Sequence, residues 1–206
     1  MSGLEGSWDK LNVILNPERL KRKLNQTAAR VGNYGVKLIK EGIVSGAPNG
    51  VKFADNHPYT IARKGSKKPL IDKGDLLGSV TYAVPEVNSV FIGVKKSAKG
   101  GADAANIAAV HEFGCTIKVT PKMRAYLHHN GLHLKKSTQY IHIPARPFLS
   151  PIFNSKDFLD KVAEIYLKAV KEAFSESGSA GHSEKLSRPA SGPRQRDARG
   201  RFIKKS

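Results

Sequence analysis

Cysteine is nearly absent from this chain, since Cys115 is the only one among 206 residues. With a single thiol no disulfide can form within the chain, which fits folding in a reducing compartment. No apolar run approaches the ~20 residues of a membrane-spanning helix, and the first residues lack the basic-then-apolar pattern of a signal peptide. We therefore expect synthesis and assembly in a cytoplasm, with no membrane partner.

Acidic residues are scarce as well. The chain has 17 Asp and Glu against 35 Lys and Arg, for a formal net charge of +18. A charge of this size bears on partners and solubility rather than on fold. It makes nucleic acid, or a polyanionic assembly partner, the first class of partner to consider. Residues 175–206 hold eight Lys and Arg against three acids, so most of the excess lies in the residues before them.

The residue patterns that carry catalysis are also missing. Four of the seven histidines lie close together in the sequence: His128, His129, His133 and His142. No acid lies near them, adjacent histidines point about 100° apart on a helix, and zinc needs several converging ligands. His111 and Glu112 lack the second histidine of a zinc-protease helix, and Cys115 has no supporting catalytic signature. We expect no enzymatic activity, no cofactor and no metal.

Composition divides the chain into an N-terminal arm at residues 1–16, a folded region at 17–174 and a basic tail at 175–206. Residues 11–15 of the arm are apolar enough to add a small edge strand. The tail is rich in Ser, Gly, Pro and Arg and holds few apolar residues, so we expect it to be disordered. The folded region is long enough to bury one core.

A long helix should open the folded region. Asn16, Pro17 and Glu18 provide a capping side chain, a proline at the first helical position and an acid in the first turn. Apolar and small residues then recur at alternating steps of four and three up to about Val44, which describes one face of a helix. Residues 45–73 follow as a long, irregular, basic loop, a kind of segment that is often functional or ordered only by a neighbour.

Short strands and further helices complete the folded region. Alternating apolar residues between turns predict strands at 77–84, 89–94, 116–119 and 140–143. Helical patterns predict short helices at 104–113 and 121–130 and an amphipathic helix from about 157 to 174. We therefore predict an α+β fold, in which a long N-terminal helix and a C-terminal helix pack an antiparallel sheet of about four strands.

The most informative segment is IPARPFL, at residues 143–149. Pro144 and Pro147 fix their own φ angles, and Pro147 also holds Arg146 in an extended conformation. Pro147 is suited to the first position of a helix, with Phe148 turned into the core. The segment therefore predicts a rigid corner that carries a guanidinium. Such a group suits one defined carboxylate or phosphate partner, although an arginine that merely caps a strand-to-helix turn explains the same pattern.

For an intrachain partner of Arg146 we expect a carboxylate, with Glu112 as the first choice and Asp75 as the second. A partly buried bidentate pair of this kind would fix the orientation of the corner. The alternative is that Arg146 faces solvent or a neighbouring subunit.

Five segments occur in order along the chain: GDLLGSV (74–80), VFIGV (90–94), AAVHEFG (108–114), KMRAYLHHNG (122–131) and IPARPFL (143–149). As an ordered set, across roughly residues 17–174, they resemble the virion morphogenesis, or tail completion, family of Mu-like and related tailed phages. The matching signature positions are Gly74, Asp75, Leu77, Ser79, His111, Glu112, Phe113, Gly114, Arg146, Pro147 and Phe148. The resemblance marks these residues as structural or interface candidates. The arm and the basic tail depart from the family pattern.

This resemblance implies a small α+β protein of the phage neck, which completes the tail and joins it to the head-side connector. The implied partners are further copies of the chain in a hexameric ring, the adjacent connector and tail proteins, and DNA in the channel. The implied location is the virion. The alternative is a nucleic-acid-binding protein that acts through its basic surface and tail. Candidate contacts of the tail with DNA or a partner protein are Arg194, Arg196, Arg199 and Arg201.

Overall fold

A computed structural model describes residues 17–95 and 101–179. Within these ranges the fold mixes helices with short antiparallel strands, as the sequence predicts. The helices are α1 (Pro17–Ser45), α2 (Pro58–Lys64), α3 (Asp75–Ser79), α4 (Gly101–Phe113), α5 (Pro121–His129), α6 (Ser150–Phe153) and α7 (Lys156–Ser179). The strands are β1 (Val80–Ala83), β2 (Phe91–Val94), β3 (Cys115–Lys118) and β4 (Tyr140–Ile143). None of the helices in the described ranges combines the length and apolarity needed to cross a bilayer.

The long helix α1 organises the fold, and the prediction of a helix running to about Val44 is confirmed. Its apolar stripe is buried from Ala28 and Val31 to Ile39 and Ile43. Full burial of a valine or isoleucine side chain stabilises a fold by roughly 1.5–3 kcal/mol. Because α1 packs against α7, β1 and β2, this one helix joins the helical and strand parts of the molecule.

The core lies around Phe148, which has no exposed surface. Its buried members come from segments far apart in the sequence: Ile39, Ile43, Phe53, Leu76, Val80, Ala108, Phe148, Ile152 and Phe158. Aromatic packing extends it, because Tyr34 on α1 and Phe158 on α7 stack with ring centroids 6.0 Å apart. The segment at 143–149 therefore does turn its phenylalanine into the core.

Helix α1 lies closest to the strands β1 and β2 at two of its glycines. A Cβ atom built at Gly32 would overlap the ring of Tyr82 on β1, and one at Gly35 would lie 2.7 Å from the Cδ1 atom of Ile92 on β2. Real Cβ atoms are not found this close to a neighbour, so the hairpin of β1 and β2 can lie on the helix only because these side chains are missing. The glycines weaken α1 as an isolated helix and are explained by this packing.

The four strands pair as two separate hairpins, and not as the single sheet of about four strands that the sequence predicts. β1 pairs with β2 in the register Val80↔Val94, and β3 pairs with β4 in the register Cys115↔Ile143. In the described residues the two pairs share no ladder. Burial gives the physical reason, because β1 and β2 lie on α1, whereas β3 and β4 contain no buried residue.

Residues 45–73 are more regular than the predicted loop. They contain a 3₁₀ turn, Pro48–Gly50, and the helix α2. The Nδ1 atom of His57 accepts from the backbone N–H of Tyr59 at 3.2 Å and so caps α2, and Gly65 ends the helix in a left-handed conformation with φ of 68°. Pro58 at the first helical position and Gly65 at the end are readable helix signals, whereas a histidine cap is not. The segment thus contains regular structure of its own.

The predicted strand at 77–84 is shorter than expected, because its first residues belong to α3. Gly74 precedes this helix in a left-handed conformation with φ of 83°, and the hydroxyl of Ser79 donates to the carbonyl oxygen of Asp75 at 2.6 Å. A helix of 5 residues is too short to display a 3.6-residue period. Its apolar residues therefore resembled the start of a strand.

The C-terminal helix α7 runs past its predicted end at residue 174, to Ser179. The predicted boundary between folded region and tail thus falls inside a helix. Residues 180–206, with the four candidate arginines of the tail, lie outside the described residues. The arm at 1–16, with its predicted edge strand, lies outside them too.

The close contact at Gly32 gives the first prediction. Gly32→Ala should lower the free energy of unfolding by about 1 kcal/mol or more, because overpacking against Tyr82 outweighs the gain in helix propensity. Urea unfolding followed by circular dichroism measures the change. Asn25→Ala, at an exposed position of the same helix, is the control and should be neutral or slightly stabilising. Equal stabilisation by both variants would contradict the packing argument.

Candidate functional site

Arg146 is buried at the corner between β4 and α6, with 6% of its surface exposed. Its Nε atom donates to the carbonyl oxygen of Ala54 at 2.7 Å, and its Nη2 atom donates to the carbonyl oxygen of Asp55 at 2.8 Å. Its backbone N–H donates to the carbonyl oxygen of His111 at 2.6 Å. The side chain therefore fixes the segment after the 3₁₀ turn, while the backbone fixes the end of α4.

Glu112 holds the same corner from the other side and is also buried, with 7% exposed. Its Oε2 atom accepts from the backbone N–H groups of Phe148 at 2.9 Å and Leu149 at 3.0 Å. Its Oε1 atom accepts from the backbone N–H of Ser150 at 2.8 Å, and from the hydroxyl of the same serine. A carboxylate with this many donors forms charge-assisted hydrogen bonds, which are about twice as strong as neutral ones.

The predicted ion pair between Arg146 and Glu112 is wrong, and so is the second choice, Asp75. Both Arg146 and Glu112 lie at the corner, but each charged group is satisfied by backbone dipoles of opposite sign. The prediction that a helix begins at Pro147 is wrong as well. The chain bends at residues 148–149, and α6 begins only at Ser150.

Arg146, Lys64 and His111 lie close enough at the corner to influence one another's pKa values. Burial lowers the pKa of the Arg146 guanidinium, and the charge of Asp55 raises it. Burial also lowers the pKa of His111, and the nearby charges of Arg146 and Lys64 lower it further. Burial is likewise the main reason for the lowered pKa of Lys64, against which Asp72 acts in the opposite direction. All three influences on His111 favour its neutral form.

A cavity of about 630 Å³ opens beside the corner, between α2, the segment 65–76 and α4. Two of its lining side chains carry a buried polar atom without a hydrogen-bond partner among the described residues, namely the hydroxyl of Tyr59 and the Nδ1 atom of His111. Its ionised lining is mixed: Arg63, Lys64, Lys73, Asp72 and Asp75. The mixture of signs gives the cavity no clear preference for a charged ligand.

Phe113 projects into solvent from the same rigid region, with 78% of its surface exposed. The next residue, Gly114, has φ of +71°, and a Cβ atom there would lie 2.9 Å from the backbone nitrogen of Ala145 and 3.0 Å from the carbonyl oxygen of Ile143. Only glycine fits this close approach without strain. The end of α4 is thus clamped against the corner while its last side chain is presented outward.

The remaining signature residues surround this region. Gly74, Asp75 and Leu76 line the cavity, and α3 packs against α4. Leu77 is half-buried, and Ser79 is fully buried. The structure therefore brings the segments at 74–80, 108–114 and 143–149 together at one place.

Sequence reasoning missed the segment at 54–55, which supplies both acceptors of the Arg146 side chain. Carbonyl oxygens belong to every residue, so no residue type marked this segment. It also missed the role of α2, whose Lys64 ammonium donates to the carbonyl oxygens of Lys68 and Ile71. The sequence indicated only that this segment is a basic loop.

The clustered histidines lie elsewhere and make ordinary contacts. The rings of His128 and His133 meet edge to face with centroids 4.4 Å apart, and the Nδ1 atom of His142 hydrogen-bonds to the Thr116 hydroxyl at 2.8 Å. Across residues 17–95 and 101–179, no three His, Cys, Asp or Glu side chains converge as a metal site would require.

No protein-family model, curated protein or solved structure matches the chain.

The Arg146 contacts give the second prediction. Arg146→Ala should lower the free energy of unfolding by about 3 kcal/mol, because two part-buried carbonyl oxygens lose a charged donor. Arg146→Lys should recover less than half, since an ammonium cannot reproduce the fork that spans both acceptors. Urea unfolding measures both, with Arg30→Ala at an exposed position of α1 as the control. Full recovery by lysine would show that charge alone matters here.

His111 gives the third prediction. Its pKa lies below the ordinary value of 6.5 in the folded protein, so the unfolded chain binds more protons below that pH. The free energy of unfolding should therefore fall as the pH drops from 7 through 6.5, and level off below the folded-state pKa. His111→Gln should remove this component from the pH profile, whereas His129→Gln, at an exposed position, should keep it. Identical profiles for wild type and His111→Gln would contradict the prediction.

Proposed function

We propose that this protein is a structural component of the neck of a tailed phage, where it completes the tail and joins it to the head-side connector as part of a ring. One observation carries the proposal. The segments at 74–80, 108–114 and 143–149, which bear much of the resemblance to the tail completion family, lie together around the corner of Arg146 and Glu112. A structural role shared by a family would depend on segments that pack together in this way.

The proposed role involves no chemical step. Arg146 donates to two carbonyl oxygens, and Glu112 accepts from three backbone N–H groups and a hydroxyl. Both charged groups are thus occupied in holding the chain, which supports a structural rather than a catalytic use of the corner.

Exposed apolar side chains support assembly with further copies of the chain. Phe113 is 78% exposed at the end of α4, and Leu167 is 60% exposed on α7. A ring requires a heterologous interface, in which two different patches of one subunit meet, and it must close to avoid filaments. We propose that Phe113 lies in this interface. The hexameric state, the connector and tail partners and the location in the virion follow from the resemblance.

A second proposal is a nucleic-acid-binding protein that acts away from the virion through its basic surface and tail. The net charge of +18 favours it. Purification of the protein from infected cells at different salt concentrations distinguishes the two proposals. A neck protein should copurify with intact particles at high salt, while the alternative should copurify with DNA and be released as the salt concentration rises.

The fourth prediction concerns assembly. In purified particles the chain should be present at a fixed ratio to the tail proteins, and a reconstruction should show it as a closed ring. Phe113→Ser should lower its incorporation at least tenfold, whereas Val87→Ser, an exposed apolar residue after β1, should not. Urea unfolding of both variants checks that the subunit still folds. Absence of the wild-type chain from particles would refute the neck role, and normal incorporation of Phe113→Ser would refute this interface.

A further inference from the structure

The segment between α4 and α6 contains a second structural unit, which we call the basic hairpin and define as residues 115–143. It consists of β3, α5, β4 and their connections. None of its residues is buried, so it lies outside the core. No acidic residue occurs anywhere between Glu112 and Asp157.

The cations of the basic hairpin fall into two groups. Arg124 is used internally, since its Nη1 atom donates to the carbonyl oxygen of Lys135 at 2.9 Å and its Nη2 atom to that of Thr138 at 2.5 Å. Four lysines are exposed: Lys118, Lys122, Lys135 and Lys136. In the part of the chain that the structure describes, none of these four forms an ion pair. The hairpin is thus internally fixed and carries uncompensated positive charge.

The two strands carry one of these four lysines, Lys118, on an exposed polar face. Thr116 and Lys118 are exposed on β3, and Tyr140 and His142 are exposed on β4, while the residues between them are half-buried. One face of the ribbon therefore consists of side chains that carry charge or form hydrogen bonds. A two-stranded antiparallel ribbon is also narrow enough to enter the major groove of B-DNA, which is about 12 Å wide.

We propose that the basic hairpin binds the phosphate backbone of double-stranded DNA without sequence preference. The density of negative charge on a duplex is what these cations fit. Lysine binds phosphate as a point charge, and the closely spaced phosphates of a duplex offer partners to several lysines at once. The one arginine of the hairpin is occupied within its own loop, so the lysines are the cations left for a partner.

This inference goes beyond the neck role and does not depend on it, because DNA binding by the full chain can be measured without particles. It also differs from binding through the tail, since the residues that carry it lie between α4 and α6.

The test replaces all four exposed lysines of the basic hairpin by glutamine in the full-length protein. Binding to a fluorescently labelled 30-bp duplex is followed by anisotropy between 50 and 300 mM NaCl. Each lysine that neutralises a phosphate contributes about 0.9 to the magnitude of the negative slope of log K against log salt, so replacing four should lower that magnitude by about 3.6. Because the four side chains are exposed and form no ion pair within the described residues, urea unfolding should change little.

The matched control removes the same charge from α7, by glutamine substitution of four exposed lysines: Lys156, Lys161, Lys168 and Lys171. These alternate with acidic residues on the helix, and two of them form exposed ion pairs. The control should change the slope by less than 1. An equal change in both variants would refute the hairpin as the binding surface. Loss of binding to poly-glutamate as large as the loss of duplex binding would refute DNA in favour of an acidic protein.

Discussion

The structure depends on how two opposite charges are buried at one corner. The carboxylate of Glu112 accepts the backbone N–H groups of residues 148–150, and the guanidinium of Arg146 donates to the carbonyl oxygens of residues 54–55. Burial of a charge is tolerated only when its hydrogen-bonding capacity is used. Here the backbone provides that capacity, and in return three chain segments and the buried ring of Phe148 are fixed together.

The sequence predicted those elements whose periodicity is long enough to be read. The stripe of α1, the amphipathic face of α7 and the alternation in β4 each appeared where expected. The short helix α3 was not predicted, because it has less than two turns and its leucines resembled the start of β1. The prediction of a single sheet was wrong for another reason. Alternation of apolar and polar residues shows that a strand has two faces, but it does not show which strand it pairs with.

Sequence reasoning indicated which residues lie at the corner, but not which hydrogen bonds they form. The prolines beside Arg146 and the order of the surrounding segments pointed to the correct corner. Side-chain chemistry then suggested an ion pair with Glu112, since opposite charges attract. The actual partners are backbone groups, which every residue possesses, and only the path of the chain after the 3₁₀ turn brings the carbonyl oxygens of Ala54 and Asp55 within reach.

The lack of buried residues in the basic hairpin has an evolutionary consequence. Substitutions at its exposed positions remove little packing energy, because surface changes usually alter stability by less than about 0.5 kcal/mol. The corner and the core, in contrast, allow few replacements. Selection can therefore retune the polarity and length of the hairpin, and hence what it touches, while the scaffold that carries it stays the same.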